Sequence, residues 1–130
     1  MSAPRYPVDS LKAFSRSLFM KAGMDAGKAE AVTNVLVSGD MVGQRTHGMA
    51  LCPQYLDQIE NGLMTTQGDP EVIRDSGAVF VWDGKYLPGP WLVSRALEQA
   101  CDRVSTYGTV TGVIRRSHHI ACLAALIKQV

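Results

Sequence analysis

Most of the features that would assign a role to this 130-residue chain on sight are missing from it. No uninterrupted apolar run approaches the roughly 18–20 residues that a membrane-spanning helix needs, so a spanning role is not expected. The N-terminal stretch from Met1 to Phe14 lacks the apolar core of about 7–15 residues that follows the basic start of a secretory leader. The expected location is therefore the cytoplasm. Cysteine is scarce: Cys52, Cys101 and Cys122 are odd in number, far apart, and form no CxxC pair. Each lies in an apolar segment and reads as a small buried hydrophobe. Neither sign of charge dominates, the formal net charge being +1. Nucleic acid and anionic membrane are thus not expected partners.

The nucleotide signatures are absent too. There is no GxGxxG and no GxxxxGK[S/T], and Gly84, Gly89 and Gly108 are scattered as turn and cap residues would be. A dinucleotide, if one binds, does not bind through a Rossmann fingerprint within these residues. HExxH and paired-carboxylate patterns are missing, and no metal is expected. No internal repeat, low-complexity stretch or flexible linker divides the chain.

What is present is enough for a core. Hydrophobic residues make up 46%, and 130 residues suffice for one compact domain. Asp9 is a candidate N-cap for a first helix with Leu11, Phe14 and Leu18 on one face and Gly23 closing it. Val32, Val35, Leu36 and Gly39 keep the i, i+3, i+4, i+7 spacing of a packed face in a second helix from about Asp25 to Asp40. Leu51, Tyr55 and Ile59 suggest a third, ending at Gly62, which Pro53 either opens or kinks. The patterning then changes. Glu71–Asp75 and Ala78–Trp82 flank Ser76-Gly77 and read as a β-hairpin. Pro90 can open a helix with Val93, Ala96, Leu97, Ala100 and Val104 as its apolar stripe and Gly108 as its cap. Thr109–Arg115 reads as a strand, and IACLAALIKQV begins a helix with no stop signal. The expected fold class is mixed α/β: a helical segment over 1–62, then over 63–130 the start of a sheet region with covering helices. The unfinished terminal helix reads as part of a longer protein.

Chemistry is confined to few residues. The three histidines, His47, His118 and His119, all lie beside turns with small or polar neighbours. Histidine both gives and takes protons near neutral pH. Arg45, Thr46 and Gly48 surround His47 with a cation, a hydroxyl and accessible backbone, a set suited to a small carboxylate or a carbonyl oxygen. Arg115, Arg116 and Ser117 precede His118 and His119 between a strand and a helix start, a setting that also favours anions. His118 and His119 are adjacent, so their side chains diverge and do not share one metal ion.

The stretch GDMVGQRTHGMALCPQYLDQIENGLM resembles a specific family, the type 2 malate/L-lactate dehydrogenases. Asp40, Gly43, Thr46, His47, Gly48, Pro53 and Tyr55 match the helix-loop-helix pattern centred on (S/T)HG. VWDGKYLPG is similar to the family's DG....G segment, and VIRRSHHIACLAAL to its (R)NS.HFG segment. Three stretches in the family's order cover nearly the whole chain. The resemblance implies a non-Rossmann fold, incomplete in these residues, and an NAD- or NADP-dependent oxidoreductase that is typically a homodimer of longer chains. Its reaction would interconvert a small 2-hydroxy acid and its 2-oxo acid, the substrate being a small-molecule carboxylate. The alternative within the family is reduction of a cyclic imino acid. His47 and His119 match the motif histidines, either of which could be the acid/base. Arg45, Thr46 and Arg116 are candidates for substrate binding and Ser117 for cofactor contact. Leu51 stands where many members carry an arginine, and Ala121 where they carry a glycine, with Ile120 for phenylalanine.

Two other readings belong to different classes. One is a truncated relative that serves as a non-catalytic dimerising or binding module; the other is a small metal-binding protein using His47 and His119.

Overall fold

In the computed structural model the described residues are 4–128 and 130. Helix α1 spans Val8–Lys21 and α2 spans Ala26–Met41. Two single 3₁₀ turns, Arg45–His47 and Met49–Leu51, lead into α3, Cys52–Glu60. Strands β1 (Glu71–Asp75) and β2 (Val79–Asp83) follow, then the long helix α4 (Gly89–Tyr107), strand β3 (Thr111–Arg115) and a short helix α5 (Leu123–Ile127). The mixed α/β order expected from the patterning is what the chain adopts.

Local chemistry explains most boundaries. Asp25 caps α2 by accepting the backbone N–H of Lys28 at 2.9 Å, satisfying one of the donors that a helix start leaves free. Pro53 lies in the first turn of α3, where its missing N–H costs nothing, so it opens the helix and does not kink it. Gly108 ends α4 at φ 75°, a left-handed conformation that glycine adopts without a Cβ penalty.

The sheet has the order β1-β2-β3. β1 and β2 form the expected antiparallel hairpin, with a register irregularity between Val72 and Arg74. β3 pairs with β2 in parallel, Phe80 opposite Gly112 and Asp83 opposite Arg115. A parallel pair needs a crossover, and α4 supplies it. Phe80 and Trp82 are buried, whereas β1 is exposed along its length.

The main core joins both ends of the sequence. Phe19, Val32, Val35 and Leu36 from the first two helices meet Cys52 and Tyr55 of α3 and Cys122, Ala125 and Leu126 around α5. It therefore crosses residue 62, the boundary expected between helical and sheet regions. This closure carries the segment before α5 back against α3.

Four local expectations are corrected. α1 starts at Val8, after Pro7, with no side-chain cap, and Asp9 lies inside its first turn. Its inward face is Ser15 and Phe19, whereas Phe14 is 60% exposed. The Ser15 hydroxyl is tolerated inside because Thr33 donates to it at 3.3 Å. On α4, Leu92 is the buried anchor and Val104 and Cys101 are exposed; Cys101 is thus no buried hydrophobe, unlike Cys52 and Cys122. The last helix begins at Leu123 and not at Ile120, because Ala121 at φ 56° is incompatible with a right-handed turn. Gln129, within that expected helix, and Met1–Ala3 of the N-terminal reading lie outside the described residues.

Candidate active site

Three glycine contacts hold the two histidine segments. α2 packs directly on the first: a Cβ at Gly39 would stand 2.7 Å from the carbonyl oxygen of His47, and one at Gly48 would overlap the Asp40 carboxylate. Asp40 uses that proximity to accept the N–H of Met49 at 3.1 Å, so the carboxylate secures the second 3₁₀ turn. The second segment rests on the start of α4. A Cβ at Gly89 would collide with the carbonyl oxygens of both His118 and His119.

The second and third motif stretches are also fastened to each other. Gly84 N–H donates to Arg115 O at 2.8 Å, Tyr86 N–H to Arg116 O at 2.7 Å, and His118 N–H to Leu87 O at 3.1 Å. Lys85, Tyr86 and Arg116 all have positive φ, between 48° and 58°. Asp83, fully buried, accepts from Arg116 Nη2 at 2.7 Å and Arg115 Nε at 2.9 Å. The Arg116 guanidinium, foremost, lowers the Asp83 pKa to about 2. Arg116 therefore reaches the site with its guanidinium already bonded to Asp83.

The two fastened segments bring His47 and His119 face to face, their rings stacked with centroids 6.1 Å apart and planes 24° from parallel. Both are exposed. Thr46 Oγ1 lies 3.0 Å from His47 Nδ1. His119 is gripped from behind: Tyr55 Oη lies 2.9 Å from its Nδ1 and 3.1 Å from its carbonyl oxygen, and Ala121 N–H donates to Nδ1 at 3.2 Å. Among the described residues its Nε2 makes no hydrogen bond. Burial, and then the positive potential of His47, lower the His119 pKa below its ordinary value. Burial raises that of Tyr55, so the phenol keeps its proton.

The other candidates fall around this pair. Arg45 is exposed, two residues before His47, with no ion-pair partner among the described residues. Ser117 Oγ donates to the His118 carbonyl at 2.8 Å. His118 turns its ring edge-on to Tyr55, and its buried Nδ1 has no partner among the described residues. Leu51 is half-buried and packs against the core. Among the described residues no group of three or more His, Cys, Asp or Glu side chains gathers as metal ligands would. Tyr55 and Asp83 were not singled out as site residues from the sequence. Both stand inside the motif stretches, which was the available signal.

Residues 6–130 match the family model described as malate/L-lactate dehydrogenase. The chain belongs to that family. Among its relatives, hydroxycarboxylate dehydrogenase B of Escherichia coli O157:H7 is 22% identical over 119 residues, covering 92% of this chain and 33% of that protein. The L-lactate dehydrogenase of Cupriavidus necator is 27% identical over 111 residues, covering 85% and 32%. Malate dehydrogenase from Entamoeba histolytica superposes with a TM-score of 0.91 at 25% identity, over 96% of this chain and 35% of that one. Δ1-Piperideine-2-carboxylate reductase from Pseudomonas syringae superposes at 0.84 with 22% identity, over 93% and 36%. The chain thus spans about a third of the length of the curated relatives it matches. Ala121, at the position where the resemblance implies a glycine, has φ 56°, a left-handed conformation that glycine adopts without strain.

Proposed function

We propose that this chain supplies the acid/base end of an active site that interconverts a small 2-hydroxy acid and its 2-oxo acid. The observation that carries the reading is the His47–His119 pair, stacked at 6.1 Å and open on the Nε2 side of His119. His119 is the acid/base in this reading, because its ring is held by Tyr55 and Ala121 whereas His47 has only Thr46. In the oxidising direction its Nε2 takes the hydroxyl proton, and in the reducing direction returns it to the carbonyl oxygen. A positioned group of this kind contributes roughly 10²–10⁴-fold. A lowered pKa favours the neutral imidazole over the imidazolium. His47, Thr46 and Arg45 line the approach and offer donors to the substrate's carboxylate. Arg116 contributes more distantly, through the net positive charge that Arg115 and Arg116 together leave over the Asp83 carboxylate.

NAD or NADP, when bound, would accept or supply the hydride at the substrate's C2. The residues here that would meet it are Ser117 and His118, whose orphaned Nδ1 suits a polar group arriving from outside the described residues. The protein so formed is a cytoplasmic homodimer in this reading. Among the described residues no helix is long and apolar enough to cross a membrane.

Reduction of a cyclic imino acid is the second reading, favoured by the fold shared with the piperideine-2-carboxylate reductase. The same Nε2 would exchange the proton at the imine nitrogen. The test is NAD(P)H oxidation by the native-length protein with pyruvate, oxaloacetate and Δ1-piperideine-2-carboxylate. Turnover with one of them is expected, reduced about 10²–10⁴-fold by His119→Ala. His47→Ala is expected to act mainly on KM. No turnover with any 2-oxo acid, hydroxy acid or cyclic imine would overturn the reading.

A further inference from the structure

We propose that Tyr55 is the positioning residue of His119, holding the ring through Nδ1 so that proton exchange with the substrate is confined to Nε2. The inference rests on the reading of His119 as the acid/base, but its geometry stands apart from it. Tyr55 is fully buried on α3 and reaches His119 from 64 residues away in sequence. Its hydroxyl lies within hydrogen-bond distance of two atoms of that one residue, Nδ1 at 2.9 Å and the carbonyl oxygen at 3.1 Å.

A hydroxyl has one hydrogen and two lone pairs, so it can serve Nδ1 in either role. Facing a neutral ring, Oη–H donates to Nδ1 beside the Ala121 N–H. A backbone N–H can only donate, so the resting ring carries its hydrogen on Nε2. Facing an imidazolium, Oη accepts from Nδ1–H and turns its own hydrogen to the His119 carbonyl. When the imidazolium gives up its Nε2 proton, the ring is left as the Nδ1–H tautomer, still held by Oη, and it is this tautomer, not the resting one, whose free Nε2 takes the hydroxyl proton in the oxidising direction. Both protonation states keep a partner without movement of the ring. The tyrosine neither gains nor loses a proton across the cycle, and its burial opposes ionisation.

The groups facing His119 are few: His47 from the first 3₁₀ turn, Tyr55 from α3, and His118 beside it. No acidic side chain hydrogen-bonds to the ring among the described residues. Tyr55 is thus the one side chain there whose loss would remove an acceptor from the imidazolium. Charge-assisted bonds are stronger than neutral ones, so Tyr55 stabilises the imidazolium more than the neutral ring. Its removal should lower the His119 titration.

The experiment is a histidine-labelled NMR titration of the native-length protein and of Tyr55→Phe, with His119→Gln to assign the signal. In the unsubstituted protein the neutral form of His119 should be mostly the Nε2–H tautomer. In Tyr55→Phe the midpoint should fall by roughly one pH unit, and the alkaline limb of kcat/KM for NAD(P)H-dependent reduction should move with it. kcat should drop about tenfold with KM little changed, because the hydroxyl acts on the ring and not on the substrate. A folded Tyr55→Phe protein with an unchanged His119 midpoint would overturn the proposal. Should that variant not fold, a neutral His119 without the Nε2–H preference in the unsubstituted protein would overturn it equally. A shifted midpoint in a protein that turns over no substrate would sink the dehydrogenase reading and leave the anchoring role standing. Turnover with an unmoved midpoint would do the reverse.

Discussion

Ala121 shows how one backbone conformation can govern a neighbouring side chain. Its φ of 56° orients its N–H at His119 Nδ1 and delays the last helix to Leu123. An L-residue in this region costs roughly 1–2 kcal/mol, which glycine does not incur. Ala121→Gly would relieve that strain but lose a buried methyl and add chain entropy in the unfolded state, terms of about 1 kcal/mol each. A near-neutral change in Tm is expected, with activity retained. Ala121→Val adds a branched side chain to the same conformation, at a position that is only 5% exposed. Here a loss of about 2–3 kcal/mol is expected, together with reduced kcat as the His119 ring loses its backbone donor. Denaturant melts and initial rates on the two variants check both outcomes. A valine variant as stable as the parent would show that the left-handed conformation at 121 is not required.

At the scale of elements, the loop after β2 and the turn after β3 behave as one unit. Both are strained, with Lys85 and Tyr86 at positive φ in the first and Arg116 in the second, and each supplies hydrogen-bond partners to the other. Asp83 is the charged pin between them. Its pKa, about 2 in the folded chain against an ordinary 3.8, sets the sign of the pH dependence. A carboxylate lowered by folding adds stability above its ordinary value, and that contribution disappears as pH falls through about 2. Asp83→Asn should therefore lower Tm at pH 7 and flatten the fall in stability between 3.8 and about 2. Thermal melts across that range test it. A parent and variant with parallel profiles would mean that the Arg115 and Arg116 bonds do not depend on charge. The sequence showed the elements here but not the coupling. Asp83-Gly84 read as a turn because Asp and Gly are turn residues, and nothing local says that a turn carboxylate will be buried under two arginines from a neighbouring strand. Arg116 was read as a substrate ligand for the same reason: a cation next to a histidine carries no mark of its partner.

For the whole molecule, what could be read depended on how far apart in sequence the determining contacts lie. α2, the hairpin and α4 were legible from periodicity and caps, which are local. The stacking of His47 on His119 was not, because it requires α2, α3 and α4 to carry two distant segments to one place through close backbone contacts at Gly39 and Gly89. Phe14 and Val104 fit their apolar stripes and yet are exposed, and this exposure extends across the sheet and onto α5. Val72 is 58% exposed, Val113 48%, Leu123 60% and Ile127 71%. Among the described residues β3 pairs on one side only, leaving a free edge that can template further strands. Relatives about three times as long have more chain with which to cover such surfaces. The 130 residues expressed by themselves are therefore expected to self-associate and to bind an apolar dye, more weakly once Val113→Lys places a charge on the open strand. Sedimentation velocity and dye fluorescence measure this. A monodisperse, dye-silent monomer would mean that these side chains face water in the native protein, and that β3 is a true edge of the sheet.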